Sequence, residues 1–200
     1  MALFKTTYTS LEDEKLVSLI GKKDTQAFEV LYARYAKLMY NYFHRMLWKD
    51  KEKARDFTQD LFSKLIQKTD SIDESRSFKT WFYSVAHNMC KNEYAKMEVR
   101  RTAHKDISFH SDHSVSDNQK MDREQFQLKL QEALNDLDET KRTTFELRFR
   151  QEMSIQEISD VMKCSEGTVK SRLFYTLKQL NEKLKVFEGI TVWIFTVMFF

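Results

Sequence analysis

Apolar side chains recur at spacings of three and four residues along most of the chain, which predicts amphipathic α-helices. A short helix is predicted from Ser10, ended by Gly21 at a position that favours a left-handed residue. Asp24 then caps a long second helix. The apolar face of that helix is predicted to comprise Phe28, Leu31, Tyr32, Tyr35, Leu38, Met39, Tyr42 and Met46.

Two further predicted helices complete a first block, residues 1–101. The third helix follows the charged turn WKDKEK, and its inner side comprises Ala54, Phe57, Leu61, Leu65 and Ile66. Its outer side carries Asp56, Gln59, Asp60 and Lys64. The fourth helix begins near Phe78, and its inner side comprises Trp81, Phe82, Val85, Ala86, Met89 and Cys90. We expect this block to form its own core.

The apolar periodicity fails between residues 102 and 122, which are rich in Ser, Asp and His and predict a flexible linker. It returns in a second block, 123–186, which predicts a unit of four helices. The first of these contains Phe126, Leu130, Ala133, Leu134 and Leu137, and the second contains Phe145, Leu147 and Phe149. The fold class is therefore all-α, with two small helical domains joined by a flexible linker.

The end of the second block, SIQEISDVMKCSEGTVKSRLFYTLKQL, predicts two helices joined by a very short turn, a helix-turn-helix. Ser154 and Glu157 can form a capping box on the first helix, and Ser165 can cap the second. Two apolar stripes face a common core: Ile155, Ile158, Val161 and Met162, then Val169, Leu173, Leu177, Leu180 and Leu184. The solvent-facing side of the second helix is predicted to carry the remaining residues Glu166, Thr168, Lys170, Ser171, Arg172 and Tyr175.

Charge agrees with DNA binding by this segment. Residues 163–185 carry six basic and two acidic side chains, a local excess that suits phosphate contact. The alternative is a helical hairpin whose basic face is only solvated. The double cap, the short turn and the one-sided polar residues favour DNA binding.

The amino-acid composition further limits the fold and the function classes that fit the chain. The chain has no Pro and three Gly, with 32% charged and 42% hydrophobic residues, which suits helices joined by polar turns. A net charge of +3 excludes a histone-like polycation. Cys90 and Cys164 have no partner at metal-ligand spacing, and His110 and His113 lack a third ligand, so no metal site and no cofactor are predicted. The N-terminus shows no secretory signal, and we expect a cytoplasmic protein.

With both blocks in view, the chain resembles an extracytoplasmic-function sigma factor of bacterial RNA polymerase over roughly residues 10–185. In the first block, the matching segments are DTQAFEVLYARYAKLMYNYFHRML, ARDFTQDLF and FKTWFYSVAHNMCKN. In the second block, the match is FELRFRQEMSIQEISDVMKCSEGTVKSRL. The resemblance implies that residues 1–101 are sigma domain two and residues 123–186 are sigma domain four, and that the partners are core RNA polymerase, promoter DNA and an anti-sigma factor.

Specific roles follow from the resemblance. It implies polymerase binding by Asp56, Gln59, Asp60 and Lys64, although the residues alone leave Asp60 as a solvated acid. It implies binding of single-stranded minus-10 DNA by Ser71, Asp73, Ser75, Asn88, Lys91, Asn92, Arg100 and Arg101. It implies reading of duplex minus-35 DNA by Ser165, Glu166, Thr168, Lys170, Ser171, Arg172 and Tyr175. Trp81 and Phe82 are predicted to belong mainly to the core.

The chain departs from the family pattern at four positions. Asp138 stands where Pro is frequent, and Met153 stands where Gly usually precedes the helix-turn-helix. Lys163 occupies a turn position that is commonly Gly, where a left-handed backbone costs about 1 kcal/mol. Tyr175 replaces a common Arg, which should remove or move one DNA backbone contact. The promoter preference therefore cannot be copied from relatives.

The segment 187–200 ends in the uncharged run ITVWIFTVMFF, which lies outside the resemblance. It is shorter than the roughly 20 apolar residues that span a bilayer. Three interpretations are open: the tail docks onto one of the domains, it contacts a membrane or an anti-sigma partner, or it begins a longer segment. We favour docking, with the hypothesis that it restrains DNA binding, because an exposed apolar run aggregates.

The sequence also leaves other functions than that of a sigma factor open. A free-standing helix-turn-helix regulator would bind DNA without polymerase, and a helical interaction module would have no promoter activity. An enzyme is least favoured, since no nucleophile, base and orienting group occur together and no glycine loop can cradle phosphate.

Overall fold

The computed structural model describes residues 8–69, 72, 76–103 and 123–184, with side chains at 101–103, 123–125 and 127 excepted. These residues form helices joined by turns, and no strand occurs among them. The all-α prediction is confirmed. Residues 104–122 of the predicted linker and the whole predicted tail lie outside the described residues.

The first helices are α1 (Asp13–Gly21) and α2 (Thr25–Met46), which pack against each other. The predicted left-handed cap at Gly21 is wrong, because Gly21 is helical and Lys23 adopts a φ of 66°. The amide of Lys23 donates to the Ile20 carbonyl (2.8 Å) and that of Asp24 to the Leu19 carbonyl (3.1 Å), which places the left-handed residue two positions beyond Gly21.

Asp24 caps α2 as predicted. Its Oδ1 accepts hydrogen bonds from the amides of Gln26 (3.0 Å) and Ala27 (3.1 Å), and its Oδ2 accepts one from the Tyr8 hydroxyl (2.8 Å). The bond from the Ala27 amide, followed by that from Tyr8, lowers the pKa of Asp24 below its ordinary value of 3.8. The cap therefore depends on the ionised carboxylate.

Helices α3 (Lys51–Lys68) and α4 (Phe78–Ala103) complete the first set. An aromatic core joins them to α2: the Phe62 ring meets Phe82 edge-on at 5.3 Å, and Tyr42 meets Tyr83 at 5.6 Å. Cys90 is buried within this core and Cys164 is half-buried, and neither forms a disulfide. Because α4 extends to Ala103, residues 102 and 103 of the predicted linker are helical.

Three predicted core residues are exposed instead. Tyr32 is 43% exposed, Leu38 45% and Ile66 53%. Each lies at the margin of its apolar stripe, and a helix in contact with its neighbours covers only the centre of such a stripe. The Tyr32 ring still contacts the Phe62 ring, with centroids 4.7 Å apart. The remaining predicted residues of the α2 stripe are buried or half-buried.

The later helices are α5 (Arg123–Asn135), α6 (Glu139–Phe145), α7 (Ile155–Met162) and α8 (Glu166–Lys183), with a π-helical turn at Glu146–Arg150. Asp138, which stands where the family that the chain resembles often has Pro, caps α6 by accepting a hydrogen bond from the Lys141 amide at 2.9 Å. Helices α5 and α6 pack on α8. Their shared core comprises Ala133, Leu134, Leu137, Phe145, Leu177, Leu180 and Leu184.

Internal contacts divide the described residues into two compact units. The first lies within Met1–Tyr94 and Gln156–Cys164, and the second lies within Ala95–Ile155 and Ser165–Phe200. None of the helices described is long and apolar enough to cross a lipid bilayer.

Candidate nucleic-acid interface

Helix α8 begins with a local cap. The Ser165 hydroxyl accepts from the Thr168 amide at 3.1 Å and shares a hydrogen bond with the Thr168 hydroxyl at 2.9 Å. The Ser171 hydroxyl donates to the Gly167 carbonyl at 2.9 Å. The predicted cap at Ser165 is confirmed. These three hydroxyls are committed to local bonds in the free protein, so their first role is to shape the helix start.

The apolar face of α8 is buried as predicted, and its opposite side borders a shallow cleft. The cleft is lined by Lys141, Thr168, Ser171, Arg172, Tyr175, Lys178, Gln179 and Glu182. Four of these residues belong to the predicted minus-35 set. Glu166 and Lys170 of the same set lie exposed nearby on α8, their side chains 3.9 Å apart. The structure therefore gathers four of the seven predicted residues at one cleft, whereas Ser165, Glu166 and Lys170 do not line it.

Sequence reasoning missed Lys141 as a part of this surface. Its Nζ donates to Gln179 Oε1 at 3.2 Å and lies 3.3 Å from Asp138 Oδ2, which holds the ammonium beside α8. Lys178 also lines the cleft, although it was counted only as local charge. Lys178 could have been predicted from the sequence, since it follows Tyr175 by one helical turn. Lys141 belongs to another helix, so its place at the cleft depends on how α6 packs against α8.

Two aromatic side chains project from the exposed side of α8. Tyr175 is 59% exposed and Phe174 51%, and their rings meet edge-on with centroids 5.4 Å apart. The tyrosine therefore puts an aromatic ring and a neutral hydroxyl at a position where the family often has a guanidinium. Phe174 was not among the predicted residues.

The backbone before and within the helix-turn-helix contains two left-handed residues. Lys163 has a φ of 50°, as expected for its turn. The second is Glu152, with a φ of 54°, while its neighbour Met153, at the position where Gly is usual, is fully buried. Arg148 Nη1 donates to the Met153 carbonyl at 3.0 Å, which holds this bend. The predicted capping box of Ser154 and Glu157 stays a prediction.

Helix α4 presents a polar face opposite its aromatic core. Asn88, Lys91 and Asn92 are exposed at spacings that place them along one side. Arg100 is exposed as well, but it follows the buried Phe82 by about five full turns and therefore lies on another side of the helix. Phe82 is fully buried and Trp81 half-buried, in agreement with their predicted place in the core. Glu93, one residue beyond Asn92, is buried and pairs with Lys53 of α3 at 2.8 Å. Sequence reasoning missed this pair.

Helix α3 presents a separate polar face. The predicted polymerase-binding residues Asp56, Gln59, Asp60 and Lys64 are all exposed, while Ala54, Thr58, Leu61 and Leu65 are buried on the other side. The predicted orientation of the four polar side chains is therefore confirmed.

Several predicted site residues cannot be placed. Ser71, Asp73, Ser75, His110 and His113 lie outside the described residues, and so does the side chain of Arg101. Among the residues that are described, no group of three or more His, Cys, Asp or Glu side chains comes together to hold a metal ion.

Comparison with known proteins agrees with this architecture. Residues 31–100 match Sigma-70 region 2, and residues 127–180 match Sigma-70, region 4. The first match covers α3, most of α2 and nearly all of α4, and the second covers the predicted helix-turn-helix. The two regions occur in the order that the resemblance implied.

Relatives extend the match over most of the chain. The RNA polymerase sigma-H factor of Pseudomonas aeruginosa is 27% identical over 187 residues, covering 88% of this chain and 96% of that protein. The ECF RNA polymerase sigma-E factor of Escherichia coli K12 is 28% identical over 186 residues, covering 88% of this chain and 95% of that protein.

Solved structures show the same fold. The sigma factor RpoE of Bartonella quintana, in complex with the anti-sigma factor NepR, superposes with a TM-score of 0.65 at 21% identity, covering 80% of this chain and 98% of its own. CnrH, in complex with the cytosolic domain of CnrY, gives a TM-score of 0.63 at 20% identity, and the match covers 88% of this chain and 99% of CnrH. Both regions, their order and these relatives agree: the chain belongs to the extracytoplasmic-function sigma factors, the subunits that direct RNA polymerase to initiate transcription at specific promoters.

Proposed function

We propose that this sigma factor divides its work among three helices. Helix α3 binds core RNA polymerase, α4 holds the opened minus-10 strand, and α8 reads the minus-35 element as duplex. The observation that carries the proposal is the cleft beside α8, which brings four predicted minus-35 residues together with two lysines. Domain boundaries are proposed as predicted, with sigma domain two in residues 1–101 and sigma domain four in residues 123–186.

The α8 surface suits duplex DNA. Lys141, Lys178 and Arg172 supply positive charge for phosphates, and Lys170 lies exposed at the start of the helix. Ser165 and Thr168 cap the helix, so their proposed role is to orient it, whereas Arg172 and Tyr175 reach the bases or the backbone. Tyr175 cannot replace the charge of an arginine, and we propose that Lys178, one turn further along, supplies that phosphate contact instead.

The α4 surface suits unpaired DNA. An asparagine amide can donate to and accept from a base edge once the base has left the stack. Asn88 and Asn92 lie one turn apart, and Lys91 lies between them where its ammonium can reach a phosphate. Arg100 lies further along α4 and on another side of it, so we propose that it meets the DNA backbone separately. The helix therefore offers two amides for bases and the Lys91 ammonium for the backbone along one side.

The α3 surface suits a basic protein partner. Two exposed carboxylates, Asp56 and Asp60, lie one turn apart beside Gln59. Such acids form charge-assisted hydrogen bonds with arginines of a partner, and those bonds are stronger than neutral ones. We propose that this face is the main contact with core polymerase.

Further partners follow from the family. The sigma factor RpoE of Bartonella quintana, which has the same fold, occurs in complex with the anti-sigma factor NepR, and we propose that this chain is also held by an anti-sigma factor until its promoters are needed. Its place of action is then the cytoplasm, where polymerase and DNA are found. The chain contributes binding energy and no covalent chemistry of its own, so we propose that it is not an enzyme.

One reconstitution tests the proposal. The purified chain is mixed with core RNA polymerase and genomic promoter fragments, and specific initiation is expected; failure to bind the core enzyme would overturn the proposal. Asp60→Ala should weaken core binding, whereas Glu29→Ala, an exposed acid on α2, should not.

Residue variants then separate the two DNA surfaces. Asn92→Ala should weaken binding to a fork-junction template, with Asn135→Ala as the exposed amide control. Arg172→Ala should weaken binding to duplex minus-35 DNA and flatten its dependence on salt, with Lys129→Ala as the basic control. Equal losses on both templates would contradict the division between α4 and α8.

A further inference from the structure

Helix α4 is capped at its first residue by a side chain from another helix. The Phe78 amide donates to Glu14 Oε1 of α1 at 2.7 Å, and the Thr80 amide donates to the Ser77 hydroxyl at 3.3 Å. The first amides of a helix lack partners within the helix and favour a nearby negative charge. The first turn of α4 contains no acidic residue, so α1 supplies the carboxylate.

The neighbouring acid, Asp13, holds α1 in the position that this cap requires. Its two carboxylate oxygens accept hydrogen bonds from Arg34 Nη1 and the Tyr35 hydroxyl, each at 2.5 Å. Arg34 Nη2 also donates to the Thr9 and Leu11 carbonyls, at 2.7 and 2.8 Å. Burial, followed by the bond to Asp13, raises the pKa of Tyr35, which keeps its hydroxyl protonated as a donor.

Tyr35 connects this acidic pair to the aromatic start of α4. Its ring meets Phe78 and Phe82 edge-on, with centroids 5.4 Å apart in both cases. Phe78 also packs on Trp81 at 6.0 Å, one turn along α4. Asp13 and Glu14 therefore act on the same turn of α4, one through the backbone amide of Phe78 and the other through the ring that packs on it.

We propose that Glu14 is a positioning residue for promoter opening, which sets the first turn of α4 and so the orientation of Trp81 and of the exposed Asn88, Lys91 and Asn92. This inference rests on the proposed role of α4 in holding minus-10 DNA. Glu14 contacts no DNA in this scheme. It acts through the amide of Phe78, and it makes α1 part of the promoter-opening apparatus although α1 precedes the region 2 match at residues 31–100.

A contribution to stability alone would predict something different. If Glu14 only stabilised the fold, its loss would lower the melting temperature and weaken all functions together. Ala27→Gly serves as the matched control, because it loosens the buried side of α2 and leaves Glu14, Ser77 and Phe78 intact. A positioning role predicts losses that are confined to the opened template and that the control does not reproduce.

The experiment compares Glu14→Gln, Glu14→Ala and Ala27→Gly in the full chain, each reconstituted with core RNA polymerase well below its melting temperature. The probes are a fork-junction DNA with a single-stranded minus-10 segment and a duplex carrying only the minus-35 element, both from a promoter selected by the wild-type holoenzyme. Hydrogen exchange at the Phe78 amide is measured in the free chain. Glutamine keeps the acceptor oxygen and removes the charge, so it should retain part of the function.

Glu14→Ala is expected to weaken fork-junction binding about fivefold and to speed exchange at Phe78 by a similar factor, as for loss of one capping bond. Glu14→Gln should fall between Glu14→Ala and the wild type, and minus-35 binding should change less than about twofold. Unchanged exchange, unchanged fork binding or equal losses on both probes would overturn the inference. If the wild-type holoenzyme does not prefer the fork, the proposed function fails, while the exchange at Phe78 still decides whether Glu14 caps α4.

Discussion

We expect the stability of the first unit to depend on the ion pair between Lys53 of α3 and Glu93 of α4. The Lys53 Nζ lies 2.8 Å from Glu93 Oε1, with the side chains 30% and 11% exposed. It connects the helix proposed to bind polymerase to the helix proposed to hold opened DNA. We expect Lys53→Met, which keeps most of the apolar stem, to destabilise this unit by leaving the Glu93 carboxylate without its ammonium partner.

The magnitude follows from the geometry. Unit charges 2.8 Å apart attract by about 6 kcal/mol at an effective dielectric constant of about 20, but most of this is offset by loss of hydration. Breaking a fully buried pair costs about 3–5 kcal/mol. Solvent reaches Lys53 and screens part of the interaction, so we expect a loss of about 2 kcal/mol. The double variant Lys53→Met with Glu93→Leu removes both charges and should lose less than about 1 kcal/mol.

The assay is equilibrium unfolding in urea followed by tryptophan fluorescence. Trp48 packs edge-on against Tyr94 at 4.9 Å, next to Glu93, so its emission reports on this region. Replacing Trp193 by Phe leaves Trp48 and Trp81 as the only tryptophans, both in the first unit. Lys51→Met, on the exposed side of the same helix, is the control and should change stability by less than about 0.5 kcal/mol. A Lys53→Met variant as stable as this control would refute the reasoning, and so would a double variant that is less stable than Lys53→Met.

Three further predictions concern caps, buried hydroxyls and the bend before α7. Because the folded pKa of Asp24 is lowered, its stabilising effect is complete above its unfolded pKa and is lost as pH falls through the folded value. Asp24→Asn should therefore show a smaller fall in melting temperature than the wild type between about pH 5 and pH 3; equal falls would contradict this. The Thr176 hydroxyl is buried and has no hydrogen-bond partner among the described residues, so Thr176→Val should raise the free energy of unfolding by about 1 kcal/mol in urea titrations, and a loss would count against the geometry. Glu152→Gly should be tolerated because the left-handed backbone suits glycine, whereas Met153→Ala should cost about 2–5 kcal/mol by calorimetry; the reverse order would contradict the left-handed backbone of Glu152 and the burial of Met153.

Local features of the fold could be read from the sequence because they depend on neighbours within one helical turn. Asp24 and Ser165 cap the helices that they were predicted to cap, and the polar face of α3 is exposed as expected. The prediction of the left-handed residue failed, because more than one residue of the same short turn can adopt a left-handed backbone. Glycine can adopt a left-handed backbone at low cost, yet the chain uses Lys23 rather than Gly21, because the hydrogen bonds that close α1 select the position.

The sequence by itself determined which elements form, their order and the polar or apolar character of each face, since these follow from periodicity along one helix. Tertiary structure alone decided which faces meet: Lys141 joins the α8 cleft, Lys53 neutralises Glu93, and Glu14 reaches the first amide of α4. These contacts join residues that are far apart in the chain, and they depend on how helices pack rather than on any local spacing. The candidate DNA-binding residues were thus visible in the sequence, whereas the groups that position them became visible only in the fold.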